Sequence, residues 1–544
     1  MYEKIKLVRS EIVPKVKRII GNYEKQLFLF KYVVTFISIG IAFITSKSIE
    51  QVVVSTIELL SIIILSNIIG KRNRLYAYIF NSVTILIILL EQFFMYFGGT
   101  YLSMIMLSNV GSLQALSNKL PLYIICIIIV ISISLLPIIV YDVERDTQLL
   151  MFLLLFVGEI TYFNLHKDMT SPFYNIYVLA KEKKEYDEIK ARLAKEGTAN
   201  LSKFYNEEVK DYRKKAGLSA KPNVILIFVE GLSQTIIDDK KNLLPNVKSL
   251  QEKSINFTNY YNHTFATYRG IIGQLYSGYQ FDNYEINKLV SIQEVLSNNG
   301  YETNFINTEP HNELFTEYLN NLEFDKVTTL SKAKEEVSDK QAFELLFQTV
   351  SDRKKIEKPF FLSIYTFGTH IALDSQDEQY GSGSKPILNR FKNFDIQFGN
   401  FVKKMNEVGG FDNTILVFTT DHATYVDEEY VENFPSRSYG SLDRVPFFIY
   451  HTGIKPETID VNGRNSLALA PTILDFIDIS EKNYFIGTSL FSKTTFEELE
   501  TIYSSELNYL TSKDNIISFL NDKKENEVSQ MIEDYYSAKL FGVR

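Results

Sequence analysis

Acidic and histidine residues follow three apolar segments in the C-terminal half of the chain. The segment VILIFVE ends in Glu230, FLSIYTFGTH ends in His370, and ILVFTTDH ends in Asp421 and His422. Each segment has the composition of a buried strand. Carboxylate oxygens and imidazole nitrogens suit Mg²⁺, Mn²⁺ or Zn²⁺. The residues together predict a metal site, although Glu230 alone would also suit a loop carboxylate and His370 a structural role.

A hydroxyl nucleophile is the second chemical candidate. The segment NYYNHTFATYRGIIGQLYSGY contains Thr264 and Thr267, followed by Arg269 and an apolar run with helical character. A hydroxyl at a helix N-terminus beside a metal ion can lose its proton and attack phosphorus. Helix capping is the ordinary role of a threonine there. The residues alone therefore leave open whether either threonine reacts.

Strands and helices alternate from residue 222 onward. Apolar strand-like segments are separated by helix-like segments such as LLPNVKSLQEKS and LALAPTILDFIDI. This alternation predicts an α/β domain over residues 221–544, with a mostly parallel sheet sandwiched by helices. In such sheets, functional groups collect at the carboxyl ends of the strands. One edge of the sheet should therefore carry the acids and the histidines.

Apolar segments dominate the first third of the chain. We expect a membrane domain over residues 1–165 with five transmembrane helices, because most of the segments approach the ~20 residues that span a bilayer. The five segments are 28–46, 52–70, 76–97, 121–141 and 149–164. Lysine and arginine are concentrated in the N-terminal tail and in the loop KRNR at 71–74, which predicts a cytoplasmic N-terminus. Five spans would then place the C-terminal half outside the cell.

Three further features of the sequence bear on the connector, on nucleic-acid binding and on cysteine chemistry. The charged, helix-favouring stretch YVLAKEKKEYDEIKARLAKEG predicts a helical connector over 166–220. The net charge is −8, which argues against nucleic acid as the main partner. The single cysteine, Cys126, excludes an intrachain disulfide framework and a cysteine zinc site.

The motifs resemble the lipoteichoic acid synthase and phosphoglycerol transferase family of the sulfatase/alkaline phosphatase superfamily. The resemblance covers about residues 222–492 and follows the order NVILIFVEGL, TFATYRGIIGQLYSG, SIQEVLSNNGYETNFIN, PFFLSIYTFGTH, TILVFTTDHATY, RVPFFIYHTG and YFIGTSLF. It implies one divalent ion, most often Mn²⁺, with Mg²⁺ or Zn²⁺ as alternatives. The implied metal ligands are Glu230, Thr267, Asp421 and His422.

The same resemblance implies the reaction. Thr267, rather than Thr264, would take the phosphoglycerol headgroup from phosphatidylglycerol and form a phosphothreonine-type intermediate, while diacylglycerol leaves. His370 would contact the transferred phosphate, and Arg269 is a further candidate for substrate binding. A hydroxyl of a surface polymer or glycan would then accept the headgroup. The resemblance thus implies a multi-pass protein of the cell membrane with an extracellular catalytic domain.

Several positions depart from the family pattern. The chain has no tryptophan, so the family's Trp-x-Arg clamp for glycerol phosphate is absent after FINTEPHNELFTEY, where His311 is a candidate substitute. Thr420 replaces the usual glycine before Asp-His. These changes leave open a polymerase or a transferase that adds single units.

The sequence disfavours a sulfatase and leaves two alternative functions open. The stretch FATYR lacks the C/S-x-P-S-R pattern of a sulfatase. A phosphoethanolamine transferase of the same superfamily is the enzymatic alternative. A non-catalytic, membrane-anchored binding protein with the same fold is the alternative of another class.

Overall fold

The structure is a computed structural model, and its described residues fall into two compact units. One unit lies within Met1–Leu107 and Lys119–Lys183, and the other within Ser108–Asn118 and Lys184–Arg544. The described residues are 23–108, 119–165, 171–196, 204–209, 218–280, 287–330, 337–353, 358–375, 377–435, 437, 439, 441–492, 498–505 and 508–541. Residues 1–22, which contain most of the basic N-terminal tail that predicts the orientation, lie outside them.

The first unit is helical. Its helices are α1 (Glu24–Ser46), α2 (Ile49–Arg72), α3 (Arg74–Gly98), α4 (Met104–Ser108), α5 (Leu120–Ser134), α6 (Arg145–Leu165) and the first part of α7 (Pro172–Glu196). From Lys184 onward, the residues of α7 belong to the second unit, as does the last residue of α4. Among the described residues, four helices are long and apolar enough to cross a membrane, namely α1, α2, α3 and α6. Five transmembrane helices were predicted, so the count differs by one: the segment 121–141 contains a shorter apolar helix, Leu120–Ser134. The charged stretch of the predicted connector forms most of α7.

The predicted span over 121–141 is helical only in its first part. Helix α5 ends at Ser134, and Pro137 follows three residues later. Proline lacks an N–H group and disfavours helical backbone at the preceding residue, which explains the early end.

Side chains of the first three helices hydrogen-bond to the irregular backbone that follows α5. The Tyr78 hydroxyl and the Lys31 ammonium group donate to consecutive carbonyls, those of Leu135 and Leu136, at 2.7 and 3.0 Å. The side-chain amide of Asn67 bonds both the N–H and the carbonyl of Tyr141. Non-helical backbone is tolerated at membrane depth only where such partners replace water.

The second unit contains the predicted α/β fold. Its large sheet has eight strands in the order β4-β3-β5-β1-β6-β7-β2-β8, and only β7 runs antiparallel to its neighbours. The strands are β1 (Asn223–Val229), β2 (Ile255–Thr258), β3 (Glu302–Asn307), β4 (Lys326–Thr329), β5 (Phe360–Thr366), β6 (Thr414–Thr420), β7 (Phe448–Tyr450) and β8 (Glu457–Asp460). A second, antiparallel sheet contains β9 (Ile502–Ser505), β10 (Asn508–Thr511) and β11 (Ser518–Phe519).

Helices cover both faces of the large sheet. They are α8 (Gln234–Ile237), α9 (Pro245–Gln251), α10 (Thr267–Tyr276), α11 (Ile292–Asn298), α12 (Glu313–Asn320), α13 (Asp339–Arg353), α14 (Pro386–Glu407), α15 (Glu428–Asn433) and α16 (Leu469–Phe476). A further helix, α17 (Asp522–Phe541), packs in a separate core. Alternate residues of β1 enter different cores: Leu226 and Phe228 pack with α10, α11 and α16, whereas Ile227 and Val229 pack with α9, α13 and α14. A strand buried on both faces reads as a continuous apolar run, as NVILIFV does.

A third core joins the two ends of the second unit. Phe204, which precedes the sheet, contacts Tyr535 of α17 with ring centroids 5.4 Å apart. Tyr279, Val528 and Ile532 are buried in the same cluster.

A buried ion pair stabilises the region between the large sheet and the C-terminal strands. The guanidinium group of Arg464 lies 2.5 Å from the Glu500 carboxylate, and both side chains are almost fully buried. Arg464 also donates to the carbonyl of Ser489, and Glu500 accepts the N–H of Thr488. Removal of one partner would leave an uncompensated charge in the interior.

We predict that Arg464→Ala lowers the free energy of unfolding by about 3–5 kcal/mol, because Glu500 loses its buried counter-ion. Lys523→Ala, which breaks an exposed pair with Glu527, should change stability little. Urea unfolding of the full-length chain in detergent micelles, followed by near-ultraviolet circular dichroism, measures both. Equal effects of the two substitutions would contradict the prediction.

Candidate metal centre and nucleophile

The register between β1 and β6 places Glu230 beside Asp421. The two strands pair in parallel with Val229 opposite Thr420, so the next residues of both strands are neighbours. Paired strands lie ~4.8 Å apart. Because side chains alternate along a strand, Glu230 and Asp421 both extend on the face covered by α10. The strand ends thus bring two buried carboxylates together.

His422 completes a cluster of three potential metal ligands. Ligand atoms of Glu230, Asp421 and His422 all lie within 4.8 Å of one another, and all three residues are buried. The His422 Nε2 atom lies 3.4 Å from Glu230 Oε1 and 3.5 Å from Asp421 Oδ2. Within the described ranges, this is the one such group of three acidic, histidine or cysteine residues.

Local hydrogen bonds orient two of these ligand atoms toward the centre. The Nδ1 atom of His422 bonds the carbonyl of Ala423 at 2.7 Å, so Nδ1 carries the proton and Nε2 faces the carboxylates. Asp421 Oδ1 accepts the N–H groups of Gly231 and His422 at 2.9 and 2.7 Å. Asp421 Oδ2 is buried and has no hydrogen-bond partner among the described residues. A buried carboxyl oxygen without a hydrogen bond fits coordination to a bound cation.

The electrostatics of the cluster also favour a cation. Burial and the neighbouring Glu230 carboxylate raise the pKa of Asp421. Burial lowers the pKa of His422, but the Asp421 and Glu230 carboxylates outweigh burial and raise it to about 9. Burial also opposes ionisation of Glu230, yet His422 holds its pKa below the ordinary value. Two buried carboxylates thus compete for one imidazolium, and a divalent ion would satisfy both.

Thr267 lies at the first position of α10 and contacts the cluster. Its Oγ1 donates to Glu230 Oε2 at 3.1 Å, and the side chain is half-buried. The preceding residue, Ala266, has φ 83° and ψ 154°, a conformation that residues other than glycine rarely adopt and that costs about 1–3 kcal/mol. Thr267 is therefore held at the cluster by a strained turn.

Helix α10 can approach the cluster because Gly270 faces it. A Cβ atom on Gly270 would lie 2.3 Å from the carbonyl oxygen of Asp421. The motif T-Y-R-G thus supplies a hydroxyl at the helix start and the close approach that brings it to the ligands.

The other predicted residues take different positions. His370 follows β5, stacks on Phe367 with centroids 4.7 Å apart, and bonds the Ile371 carbonyl through Nδ1 at 2.7 Å. Burial lowers the pKa of His370, with an opposing effect of Glu230. Arg269 is buried, and its Nε atom has no hydrogen-bond partner in the described part of the chain.

Two candidates lie outside the cluster. His311 is exposed on the loop between β3 and α12. The hydroxyl of Thr264 donates to the carbonyl of Ser504 at 2.7 Å and is buried there. The structure therefore brings Thr267, and not Thr264, to Glu230.

Three residues near the cluster escaped the sequence analysis as contributors to the site. The Tyr365 hydroxyl donates to Glu230 Oε2. The Thr420 hydroxyl donates to the Val229 carbonyl at 2.6 Å, and Arg437 bonds both Ser233 and the carbonyl of Thr424. Thr420 and Arg437 thus connect the loop after β1 with the loop after β6. Strand register could have indicated Tyr365, but no local motif marks Arg437.

Comparisons with known proteins agree with this fold. Residues 222–479 match the Sulfatase family. The lipoteichoic acid synthase-like protein YvgJ of Bacillus subtilis (strain 168) is 24% identical over 336 residues, which cover 53% of each protein. The match thus spans about half the length of this curated relative.

Two solved structures have a similar fold. A protein in the alkaline phosphatase superfamily from Vibrio parahaemolyticus aligns with a TM-score of 0.51 and 19% identity over 65% of this chain and 94% of its own. The lipoteichoic acid synthase LtaP from Listeria monocytogenes aligns with a TM-score of 0.50 and 18% identity, covering 63% and 98%. At these identities the alignments show the fold.

We predict that Asp421→Asn abolishes the stabilisation of the full-length chain by Mn²⁺. Asparagine keeps the oxygen that accepts from Gly231 but loses the charge beside Glu230. A ligand at 100 times its Kd stabilises the folded state by about 2.7 kcal/mol. The difference in melting temperature between MnCl₂ and EDTA should therefore disappear, while the melting temperature in EDTA stays within a few degrees of that of the unsubstituted chain.

Asp427→Asn is the matched control. Asp427 is also buried and has an oxygen without a partner in the described residues, but it caps α15 through Tyr430 and lies outside the cluster. This variant should keep the response to Mn²⁺. A variant of Asp421 that still responds would exclude the site.

Proposed function

We propose that this chain transfers phosphoglycerol from a membrane phospholipid; the match of residues 222–479 to the Sulfatase family and the alkaline phosphatase-like fold support a phosphotransferase. The donor would be phosphatidylglycerol, and the acceptor a hydroxyl of a surface polymer or glycan. The similarity to the lipoteichoic acid synthase-like YvgJ supports a phosphotransferase of this kind. The reaction would proceed through a phosphothreonine-type intermediate.

One observation carries the proposal: a half-buried threonine hydroxyl, at the start of a ten-residue helix, bonds a carboxylate of the ligand cluster. Thr267 Oγ1 has an acceptor for its proton in Glu230 Oε2 at 3.1 Å. The N-terminus of α10 adds a positive dipole end, which favours a phosphate group. A nucleophile, a proton acceptor and an anion-binding element therefore meet at one point.

Nearby basic residues would stabilise the phosphate. Arg269 is buried two residues after Thr267, and its Nε atom has no hydrogen-bond partner among the described residues. A guanidinium group is suited to bind phosphate oxygens. His370 lies within electrostatic reach of Glu230 and His422. Its Nε2 atom remains available because Nδ1 bonds a carbonyl, so we assign His370 to the transferred phosphate. The exposed His311 would contact the more distant part of the substrate.

The proposed metal ligands are Glu230, Asp421 and His422, with Thr267 as the fourth. We assign Mn²⁺ to this site, with Mg²⁺ or Zn²⁺ as alternatives. Such a divalent ion would lower the pKa of the hydroxyl and neutralise charge on the phosphate.

The transfer would occur in two displacements. Thr267 Oγ1 forms a bond to phosphorus while the bond from phosphorus to the diacylglycerol oxygen breaks. The threonine proton passes by way of Glu230 to the departing diacylglycerol oxygen. An acceptor hydroxyl then attacks the same phosphorus, and Thr267 is released with a proton restored.

We further propose that the N-terminus is cytoplasmic and that the catalytic domain is extracellular, where surface acceptors are found. This orientation requires residues 120–141 to cross the membrane. Helix α5 rises ~22 Å over its length, and the apolar residues after Ser134 extend the segment at ~3.3 Å per residue. The bonds from Tyr78, Lys31 and Asn67 satisfy backbone groups in this extension.

Intact-mass measurement tests the reaction. The full-length chain in detergent micelles with MnCl₂ and phosphatidylglycerol should gain one glycerophosphoryl unit, mapped to Thr267, and Thr267→Val should gain none. Thr264→Val is the matched control, because its hydroxyl bonds a carbonyl away from the cluster; it should form the adduct.

The outcomes separate the alternatives. A phosphoethanolamine adduct from phosphatidylethanolamine, with none from phosphatidylglycerol, would replace the proposed donor. Mn²⁺ binding without any adduct would favour a binding protein over an enzyme.

Cysteine labelling in intact cells tests the orientation. With Cys126 replaced by serine, a membrane-impermeant maleimide should label Ser382→Cys, an exposed position between β5 and α14, and should not label Glu144→Cys, an exposed position between α5 and α6. If residues 120–141 do not cross, the pattern reverses. Labelling of both variants in permeabilised cells is the control.

A further inference from the structure

Tyr365 is placed against the ligand cluster by strand register. It lies opposite Phe228 in the parallel pairing of β5 with β1. Both side chains enter the core beneath α10. Glu230 lies two residues after Phe228 and extends on the same face. The Tyr365 ring therefore points its hydroxyl toward the carboxylate of Glu230.

The hydroxyl of Tyr365 acts as a hydrogen-bond donor to the ligand cluster. It donates to Glu230 Oε2, the same oxygen that accepts from Thr267. The side chain is almost fully buried, so water does not compete for the bond. A phenol has an unperturbed pKa of about 10 and is a proton donor at neutral pH.

The two oxygens of Glu230 thus have different surroundings. Oε2 receives two hydroxyl donors, whereas Oε1 lies 3.4 Å from His422 Nε2 and faces the cluster. Without Tyr365, the carboxylate could rotate about its last torsion and exchange the two oxygens, because that torsion is broad and two-fold. The hydrogen bond fixes which oxygen faces the cation and which faces Thr267.

The ring of Tyr365 is itself held in place. It packs on Phe315 of α12 with centroids 5.4 Å apart, and its backbone carbonyl accepts the Thr308 hydroxyl at 2.7 Å. The other aromatic residues of β5 are Phe360 and Phe361, which have no hydroxyl and cannot make such a bond. The hydroxyl is therefore the distinctive chemical feature of this position.

We propose that Tyr365 is a positioning residue that orients Glu230 for both the cation and the nucleophile. The proposal rests on the metal site of the proposed function. Hydrogen bonds to a ligand from outside the coordination sphere commonly account for 10- to 100-fold in metal affinity.

Tyr365→Phe tests the proposal in the full-length chain in detergent micelles. The Kd for Mn²⁺, measured from free Mn²⁺ by electron paramagnetic resonance, should rise by roughly 10-fold or more. Tyr318→Phe is the matched control, because Tyr318 is equally buried and its hydroxyl donates to the backbone carbonyl of Tyr268 at 2.7 Å. Its Kd should stay within about twofold, although both variants lose one buried hydrogen bond.

Melting temperatures in EDTA separate positioning from a general loss of structure. Both variants should melt at similar temperatures without metal. An unchanged Kd for Tyr365→Phe, or an equal rise for Tyr318→Phe, would overturn the proposal. The test is independent of turnover: a chain that binds Mn²⁺ and forms no lipid adduct would count against the proposed transferase and leave the comparison of Kd values decisive.

Discussion

Repulsion between two buried carboxylates is the constraint on which the structure of the C-terminal half depends. The pairing of β1 with β6 leaves Glu230 and Asp421 side by side at the end of the sheet. His422 supplies one positive charge, which two carboxylates share, and Asp421 Oδ2 keeps no hydrogen bond among the described residues. Such an arrangement is unfavourable without a further cation. The sheet thus holds incompletely balanced negative charge at the position where the reaction is proposed to occur.

The elements around the carboxylates bring the Thr267 hydroxyl to that position. Helix α10 approaches closely because Gly270 has no side chain, and Ala266 adopts strained backbone immediately before Thr267. A strained residue persists only where the surrounding packing determines it. Nearly all of α10 is buried, so the packing of this helix in the core offsets the free-energy cost of the strained turn at Ala266. The packing that buries α10 therefore also holds Thr267 at the ligand cluster.

The sequence located the cluster of potential metal ligands better than it located the residues that orient this cluster. Glu230, Asp421 and His422 could be found because each ends an apolar strand, and parallel strands share one functional edge. Tyr365 required the register of β5 against β1, which depends on contacts more than 130 positions apart in the chain. The choice between Thr264 and Thr267 depended on where α10 begins. The segment 121–141 looked like one helix because its hydropathy continues past Ser134, whereas Pro137 ends the helix without changing the hydropathy.

The third core has a consequence for the synthesis of the protein. Phe204 precedes every strand of the large sheet, yet its aromatic partner, Tyr535, lies in the last helix. The central strand β1 likewise needs β5 and β6, which emerge much later. Long-range contacts of this kind form slowly and leave apolar surface exposed in the interval. A nascent chain of this protein would therefore need protection from aggregation until α17 has been synthesised and has reached the side of the membrane where the unit folds.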